Sequence, residues 1–262
     1  MILFYAPHID LPHHTLSPEE SLHGVKVLRL KKSDTVYVTD GKGTLCTAFV
    51  EEPDPRACRL LITDVAENYG ARSYHLHIAV APPKNTDRFE WFVEKATEAG
   101  TDTITPLICD RSERKTLKTD RSRRIAIAAL KQCKRAQMPE IREPVSFDEF
   151  LESDALKDTR PAIACCFTDT PRIPVTCWIA EASTLPTQHK VTGNTTPGPA
   201  AELANPTRLT VLIGPEGDFS PREIDAAIAC GCTPVDLGPA VLRTETAALS
   251  VVFLTAFHFL YL

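Results

Sequence analysis

Two loops rich in glycine and proline contain the residues of this sequence that are best suited to hold a small ligand. The first reads IGPEG over residues 213–217, and the second reads LGPAVLRTET over residues 237–246. Both follow apolar runs; if these runs are strands of a parallel sheet, the loops lie at its carboxyl edge, where such sheets bind ligands. Each loop also opens a helix, whose first backbone N–H groups can meet a carboxylate or the edge of an adenine. The other interpretation is that both are ordinary strand-to-helix turns.

Glycine and cysteine spacing argues against several common sites. None of the 11 glycines forms a G-x-G-x-x-G or a G-x-x-x-x-G-K-[ST] motif, which argues against dinucleotide and P-loop cradles. The nine cysteines include no CxxC pair and no second motif at zinc-ligand spacing, so we expect no metal site. The odd cysteine count and the absence of a secretory leader predict reduced thiols and a cytoplasmic location.

The elements that must position these loops fall into two parts. Short β runs at 35–39, 44–50 and 59–65, with a hairpin turn at 40–43, predict a small β-barrel over residues 1–70. From residue 71 to 262, strand-like runs alternate with helical patterns, which is typical of a parallel α/β sheet. The strands are expected at 75–81, 104–109, 162–167, 209–213 and 234–237, and the helices at 87–99, 120–135, 220–230 and from 244 or 246 onward.

The sequence also predicts where two of these helices begin and where one long loop lies. Asp87 with Glu90, and Ser220 with Glu223, have the spacing of capping boxes. Residues 185–207 are rich in Pro, Thr, Asn and Gly and are expected to form a surface loop.

Positive charge is concentrated in one segment of an acidic chain. The sequence has 29 Lys and Arg against 34 Asp and Glu, a net charge of −5. Residues 110–135 nevertheless contain ten basic and three acidic residues, which favours binding to phosphate groups. On a helix, Arg121, Arg124, Lys131 and Arg135 share one face and Ala126, Ala129, Leu130 and Cys133 the opposite one. The alternative is a solvated basic surface without a partner.

The apolar segment 246–262 is too short to cross a membrane. It spans 17 residues and includes Ser250, Thr255 and His258, whereas a spanning helix needs about 20 apolar residues. We therefore expect no membrane association and predict a helix buried in the core or in an interface. Val251, Val252, Phe253, Leu254, Phe257 and Phe259 are expected to be covered in a homodimer.

Together, the two loops and several further motifs resemble the RsmE family of SPOUT-class RNA methyltransferases. The loops lie within VLIGPEGDFSPREI (211–224) and VDLGPAVLRTETAALS (235–250). Asp218 stands where a second glycine is common in the family. The other matching residues are His23, Val27, Leu28 and Arg29, Lys84 and Asn85, Arg88, residues 90–92 and 94–100, Pro106, residues 112–114 and 131–133, and Pro139.

The resemblance implies a PUA-like β-barrel over residues 1–70 and a trefoil-knotted SPOUT domain over residues 71–262. It also implies S-adenosylmethionine as cofactor, a homodimer that the C-terminal helix helps to form, and methylation of N3 of a uridine in the 16S ribosomal RNA of the small subunit. Two other hypotheses stay open at this point. One is methylation of another RNA position, such as a ribose 2′-hydroxyl or another base; the other is a non-catalytic RNA-binding or assembly protein.

Residue roles follow from the same resemblance, from the chemistry of the reaction and, for the RNA contacts, from the basic segment 110–135. Arg243 is expected to stabilise the uracil anion, Gln132 to contact the Watson–Crick edge, and Glu245 either to accept the proton or to serve the first turn of the last helix. The cofactor is expected to contact Phe167, Ile213, Gly214, Pro215, Glu216, Gly217, Leu237, Gly238, Leu242 and Thr244. RNA is expected to contact Arg29, Arg111, Arg114, Arg121, Arg124, Lys131 and Arg135.

Overall fold

The structure, a computed structural model, describes residues 1–165, 169–184 and 206–261 and divides the chain into two units. The N-terminal unit comprises Met1–Ala71 and Ala126–Met138, and the rest of the described chain belongs to the C-terminal unit. The expected domain bounds, 1–70 and 71–262, stay a prediction. In the structure, residues 126–138 belong to the N-terminal unit, although they follow residue 71 in the chain. Phe167 and most of the expected loop 185–207 lie outside the described residues.

The N-terminal unit is built on a five-stranded sheet with the order β1-β3-β4-β5-β2. The end strands β1 and β2 do not pair with each other, so the expected PUA-like barrel is a curled, open half-barrel. Alternating residues such as Val36 and Val38 are fully buried, which agrees with the period-two pattern in the sequence. The elements are β1 (Leu3–Tyr5), β2 (His13–Thr15), α1 (Pro18–Leu22), a π-helix (His23–Val27), β3 (Thr35–Thr39), β4 (Leu45–Glu52) and β5 (Arg59–Ala66).

The C-terminal unit contains an eight-stranded sheet in which every pair of neighbouring strands is parallel. Its order is β11-β13-β10-β12-β6-β7-β8, with β9 also paired to β7. The strands are β6 (Tyr74–Val80), β7 (Thr103–Ile108), β8 (Glu140–Ile141), β9 (Val145–Ser146), β10 (Arg160–Ala164), β11 (Ile173–Pro174), β12 (Thr207–Ile213) and β13 (Thr233–Asp236).

Helices connect these strands, as the alternation in the sequence predicts. The central strands β6 and β12 carry nearly continuous buried runs, which is typical of parallel strands covered on both faces. The expected fold class, an α/β protein with a parallel sheet in its C-terminal part, is thereby confirmed. The trefoil knot stays a prediction. The helices are α2 (Thr86–Ala99), α3 (Thr119–Cys133), α4 (Phe147–Glu152), α5 (Val175–Thr184), α6 (Pro221–Ala229) and α7 (Thr244–Tyr261), with a 3₁₀ turn at Asp154–Leu156.

One of the two predicted helix starts is wrong and the other is confirmed. Helix α2 is capped by Asn85, whose side chain accepts a hydrogen bond from the N–H of Asp87, so Asp87 and Glu90 do not form a capping box. Helix α6 has the full capping box of Ser220 and Glu223. The difference arises because Asn and Asp are both good N-caps and lie two residues apart here.

Helix α3 has the buried face that its sequence predicts. Ala126 and Leu130 are fully buried and Ala129 is nearly so. The helix ends at Cys133, two residues before the expected end, and Lys134 follows with a positive φ of 59°. The part of α3 up to Ile125 belongs to the C-terminal unit, and the part from Ala126 belongs to the N-terminal unit.

Helix α7 buries one face within its own chain and leaves another apolar face exposed. Val251 and Val252 are buried, and Phe259 packs against Tyr74 with 5.0 Å between ring centroids. The expectation that Val251 and Val252 need a partner subunit to be covered is therefore wrong, because the C-terminal unit itself buries them, whereas Phe259 is only partly buried. The exposed apolar face of α7 consists of Phe253, Leu254, Phe257 and Leu260. Across the described residues, no helix combines the length and the apolar character needed to cross a bilayer.

Candidate functional site

A pocket of about 410 Å³ lies at the carboxyl ends of β10, β12 and β13. Its size falls within the range of small-molecule sites, about 300–1,000 Å³. The walls come from two loops: the first loop, residues 214–220, leads from β12 to α6, and the second loop, residues 237–243, leads from β13 to α7. Three parallel strands that end side by side therefore bring both Gly/Pro loops to one cavity.

The structure gathers most of the predicted cofactor residues at this pocket. Gly217 belongs to the first loop but does not line the cavity, and Phe167 lies outside the described residues. Their role in binding a cofactor stays a prediction. The eight predicted residues that line the cavity are Ile213, Gly214, Pro215, Glu216, Leu237, Gly238, Leu242 and Thr244.

The first loop turns tightly around the buried ring of Phe219. A Cβ atom on Gly214 would lie 3.1 Å from both the backbone nitrogen and the ring of Phe219, so only glycine fits without displacing them. Asp218 has a positive φ of 59°, and its carboxylate accepts a hydrogen bond of 2.9 Å from the N–H of Phe219. Glycine adopts this left-handed conformation most readily, and aspartate is among the other residues that tolerate it.

The two loops are joined by a buried hydrogen bond. The Thr244 hydroxyl, at the start of α7, donates to the carbonyl oxygen of Gly214 over 3.0 Å. In the second loop, Gly238 adopts a φ of 109°, and its N–H donates to Asp236 at the end of β13. The cavity wall is therefore made largely of backbone groups held by short side chains.

Residues that follow β7 fix the outer side of the first loop. The Arg111 guanidinium donates to the carbonyl oxygens of Gly217 and Phe219, over 2.8 and 3.1 Å. Glu223, which is fully buried, accepts hydrogen bonds from the N–H groups of Asp110 and Ser220. The sequence predicts that Arg111 contacts RNA, but its guanidinium is bound to the first loop.

The Asp110 carboxylate completes the contact between these segments. It accepts a hydrogen bond from the Ser220 hydroxyl at 2.6 Å and pairs with the Arg222 guanidinium at 3.0 Å. These two partners hold the pKa of Asp110 below its usual value, with Arg222 the larger influence. The carboxylate therefore stays charged at neutral pH and keeps both partners in place.

The side chains that line the pocket carry an excess of negative charge. Among the described lining residues, Glu216, Asp218 and Asp236 are carboxylates, and Arg172 has the single guanidinium. Arg172 donates to the carbonyl oxygen of Cys165 over 2.6 Å. Sequence reasoning missed Arg172, Cys165 and Ala164, because they flank a segment that carries no motif of the resembled family. A ligand with net positive charge fits this lining best.

The three predicted catalytic residues occupy different places. Arg243 is exposed at the end of the second loop, and its guanidinium has no partner among the described residues. Glu245 is buried in the first turn of α7, 3.7 Å from the Arg88 guanidinium, which favours the helix-start role over proton transfer. Gln132 is exposed on the last turn of α3 and belongs to the N-terminal unit.

The remaining predicted RNA-binding residues are divided between the two units. Arg114, Arg121 and Arg124 line one cleft of the C-terminal unit. In the N-terminal unit, Lys131 pairs with the nearly buried Glu20 at 2.7 Å. Arg29 is exposed, with a positive φ of 58°, and Arg135 is half-buried in that unit. Their contacts with RNA stay predictions.

Comparisons with known proteins agree with this geometry. A family model described as an RNA methyltransferase domain matches residues 71–256, and one described as an RNA methyltransferase PUA domain matches residues 16–63. A Synechocystis protein named "Ribosomal RNA small subunit methyltransferase E" is 28% identical over 235 residues, which cover 89% of this chain and 69% of that protein.

Solved structures resemble the whole chain. One described as a "probable rRNA-methyltransferase" from Porphyromonas gingivalis is 31% identical with a TM-score of 0.79, and the match covers 96% of this chain and 95% of that one. A structure from Legionella pneumophila, described as in complex with the bound cofactor SAM, is 29% identical with a TM-score of 0.74 and the same coverage.

Two glycines of the first loop provide a matched test of its packing. We expect Gly214→Ala to lower the free energy of unfolding by about 1–3 kcal/mol, because the new methyl group must displace the buried Phe219. Gly217→Ala should change it by less than about 0.5 kcal/mol, since a Cβ there meets only the Arg111 side chain at 3.6 Å. Urea unfolding of the two variants measures the difference; equal losses would contradict the tight packing of this loop.

Proposed function

This chain belongs to the RsmE family of SPOUT-type RNA methyltransferases, and from that premise we propose that it methylates N3 of a uridine in the 16S ribosomal RNA of the small subunit, with S-adenosylmethionine as methyl donor. The observation that carries the proposal is the pocket at the carboxyl edge of the sheet, built by the two loops that match the family. The name of the Synechocystis relative supports the small-subunit RNA as substrate, and the Legionella structure supports the cofactor. In this proposal the reaction takes place in the cytoplasm, on the ribosomal subunit.

The residues of the pocket suit S-adenosylmethionine in shape and charge. Backbone groups of the first and second loops would hold the adenosine part, with the apolar side chains of Ile213, Leu237 and Leu242 beside it. The Glu216, Asp218 and Asp236 carboxylates would favour a ligand that carries a sulfonium and an ammonium group. Arg172 offers a counter-charge to the ligand's own carboxylate. The bound cofactor supplies an electrophilic methyl group on a positively charged sulfur.

The task of the chain's own residues is to make the uracil nitrogen nucleophilic. N3 of uracil carries a proton, which passes to solvent water, and negative charge develops on O2 and O4 as it leaves. Arg243 is suited to stabilise this charge because its guanidinium is free of other described partners and follows directly on Leu242, which lines the pocket. Glu245 would keep Arg88 and the start of α7 in place rather than take the proton.

The exposed apolar face of α7 supports a homodimer. Phe253, Leu254, Phe257 and Leu260 are between 37 and 59% exposed and lie on one helix of 18 residues. Contiguous apolar surface of this kind marks an interaction site in monomeric folds. A second copy of the chain carries the same apolar face, so the two faces can cover each other in a contact with two-fold symmetry.

The catalytic proposal predicts both a product and a kinetic effect. Small subunits from cells that lack the protein should gain 3-methyluridine in their 16S RNA when they are treated with the enzyme and S-adenosylmethionine. Arg243→Ala should lower the single-turnover rate by about 10²–10³-fold, because its interaction is strongest in the transition state. It should change RNA affinity far less. Nucleoside mass spectrometry and single-turnover kinetics measure the two effects.

Arg56→Ala is the control for this experiment, because it removes the same charge from an exposed turn of the N-terminal unit. Its rate should remain close to that of the wild type. A methyl group on ribose or on another base would overturn the assigned product, and absence of any methyl transfer would favour an RNA-binding or assembly protein. A wild-type rate in Arg243→Ala would remove only its catalytic role.

The dimer proposal predicts that charge on the α7 face dissociates the protein. Phe257→Glu places a carboxylate on the residue of this face with the greatest exposure, 59%, where dimerisation would have to desolvate it. Sedimentation velocity at micromolar concentration should show a dimer for the wild type and a monomer for the variant. Leu22→Glu, on an exposed residue of α1, should remain dimeric. A monomeric wild-type protein would overturn the proposal.

A further inference from the structure

A second cleft of the C-terminal unit carries charges that the cofactor pocket does not use. It has a volume of about 570 Å³ and lies between the first turn of α2, the segment 114–118 and the start of α3. The basic residues that line it are Arg114, Lys118, Arg121 and Arg124, and the acidic ones are Asp87, Glu90 and Asp120.

The cations of this cleft differ in how far they are already engaged. Arg121 pairs with Glu90 at 2.8 Å. Lys118 and Arg124 are exposed and form no ion pair within the described part of the chain. The Nε atom of Arg114 is closed off from solvent and has no hydrogen-bond partner among the described residues. A buried donor without an acceptor is costly, and none of the described residues offers one to this Nε atom, so an acceptor from a ligand would stabilise the Arg114 guanidinium.

Arg114 is also connected to the cofactor pocket through one intermediate residue. Its Nη2 atom donates to the backbone carbonyl oxygen of Lys84 over 2.7 Å. The backbone N–H of Lys84 in turn donates to the Glu216 carboxylate over 3.0 Å, and Glu216 lines the cofactor pocket. The Lys84 ammonium pairs with Glu113 at 2.8 Å, which holds the same segment from the solvent side.

We infer that this cleft binds a phosphate group of the RNA backbone through Arg114, and that Arg114 couples RNA binding to cofactor binding through Lys84 and Glu216. The inference rests on the proposed function for the nature of the anion. A guanidinium suits this double role because its five N–H donors can bind a phosphate and a carbonyl oxygen at once. Lys118 and Arg124 add charge that attracts the phosphate without contacting Lys84 or Glu216.

The coupling has a physical basis in shared ordering. A phosphate that fixes the Arg114 guanidinium also fixes the Lys84 carbonyl, and with it the N–H group that holds Glu216. The cofactor then binds to a first loop that is already ordered and loses less conformational entropy on binding. Each ligand should therefore raise the affinity for the other. Thermodynamic linkage requires that the two effects be equal in size.

Calorimetric titration of the full-length protein with S-adenosylhomocysteine, which cannot donate a methyl group, tests the inference. A saturating short oligouridine should raise the affinity for S-adenosylhomocysteine by about fivefold, at the lower end of typical couplings. S-adenosylhomocysteine should raise the affinity for oligouridine by the same factor. Arg114→Lys keeps the charge but cannot bind both groups at once, so this variant should lose the coupling. Lys115→Gln, which alters a neighbouring exposed lysine, should keep it.

Two further arms identify the anion and the route. Inorganic phosphate at millimolar concentration and constant ionic strength should have a smaller effect than oligouridine; an equal effect would overturn the assignment to RNA. Arg124→Gln should weaken oligouridine binding and leave the coupling factor at saturation unchanged.

The inference would be overturned if oligouridine left the affinity for S-adenosylhomocysteine unchanged, or if Arg114→Lys kept the full coupling. Since these are binding measurements, failure here leaves the proposed product untouched, and another product would leave the coupling untouched.

Discussion

The structure of the candidate active site depends on the fixed conformation of the first loop, residues 214–220. Its backbone turns around the buried Phe219 ring so closely that position 214 has no room for a side chain. Arg111 holds two of its carbonyl oxygens, and Thr244 holds a third from the start of α7. A pocket wall made of backbone groups needs such support, because these hydrogen bonds fix the direction of its N–H and C=O groups.

This constraint explains why distant segments of the C-terminal unit contribute to one site. Two residues after β7 hold the first loop, Arg111 directly and Asp110 through Glu223 of α6. The segment before α2 holds it through the hydrogen bond from Lys84 to Glu216. Three connections of the sheet therefore share one network of polar contacts. The pocket between the two loops and the second cleft of the C-terminal unit, which Arg114 lines, lie at the two ends of that network.

The sequence alone was sufficient for the architecture and for most of the pocket. Period-two and period-3.6 patterns predicted the long strands and helices, and two contiguous motifs predicted eight lining residues. It was insufficient for contacts between residues far apart in the chain. The contact of Arg111 with Gly217, 106 positions away, gives no signal in the sequence, and its contact with RNA stays a prediction. Two-residue strands such as Glu140–Ile141 have no period to detect, and Asn85 competes with Asp87 as a cap.

The most direct test of the dependence of the pocket on the first loop is the affinity of S-adenosylmethionine for the Arg111→Ala variant, measured by calorimetry beside the wild type and Lys115→Ala. Arg111 is not among the described residues that line the cavity, and its guanidinium holds two carbonyl oxygens of the first loop, so it acts on the ligand through that loop. We expect wild-type affinity for Lys115→Ala and a loss of about tenfold for Arg111→Ala, equivalent to about 1.4 kcal/mol, with unchanged circular dichroism. Equal affinities for all three proteins would contradict this dependence.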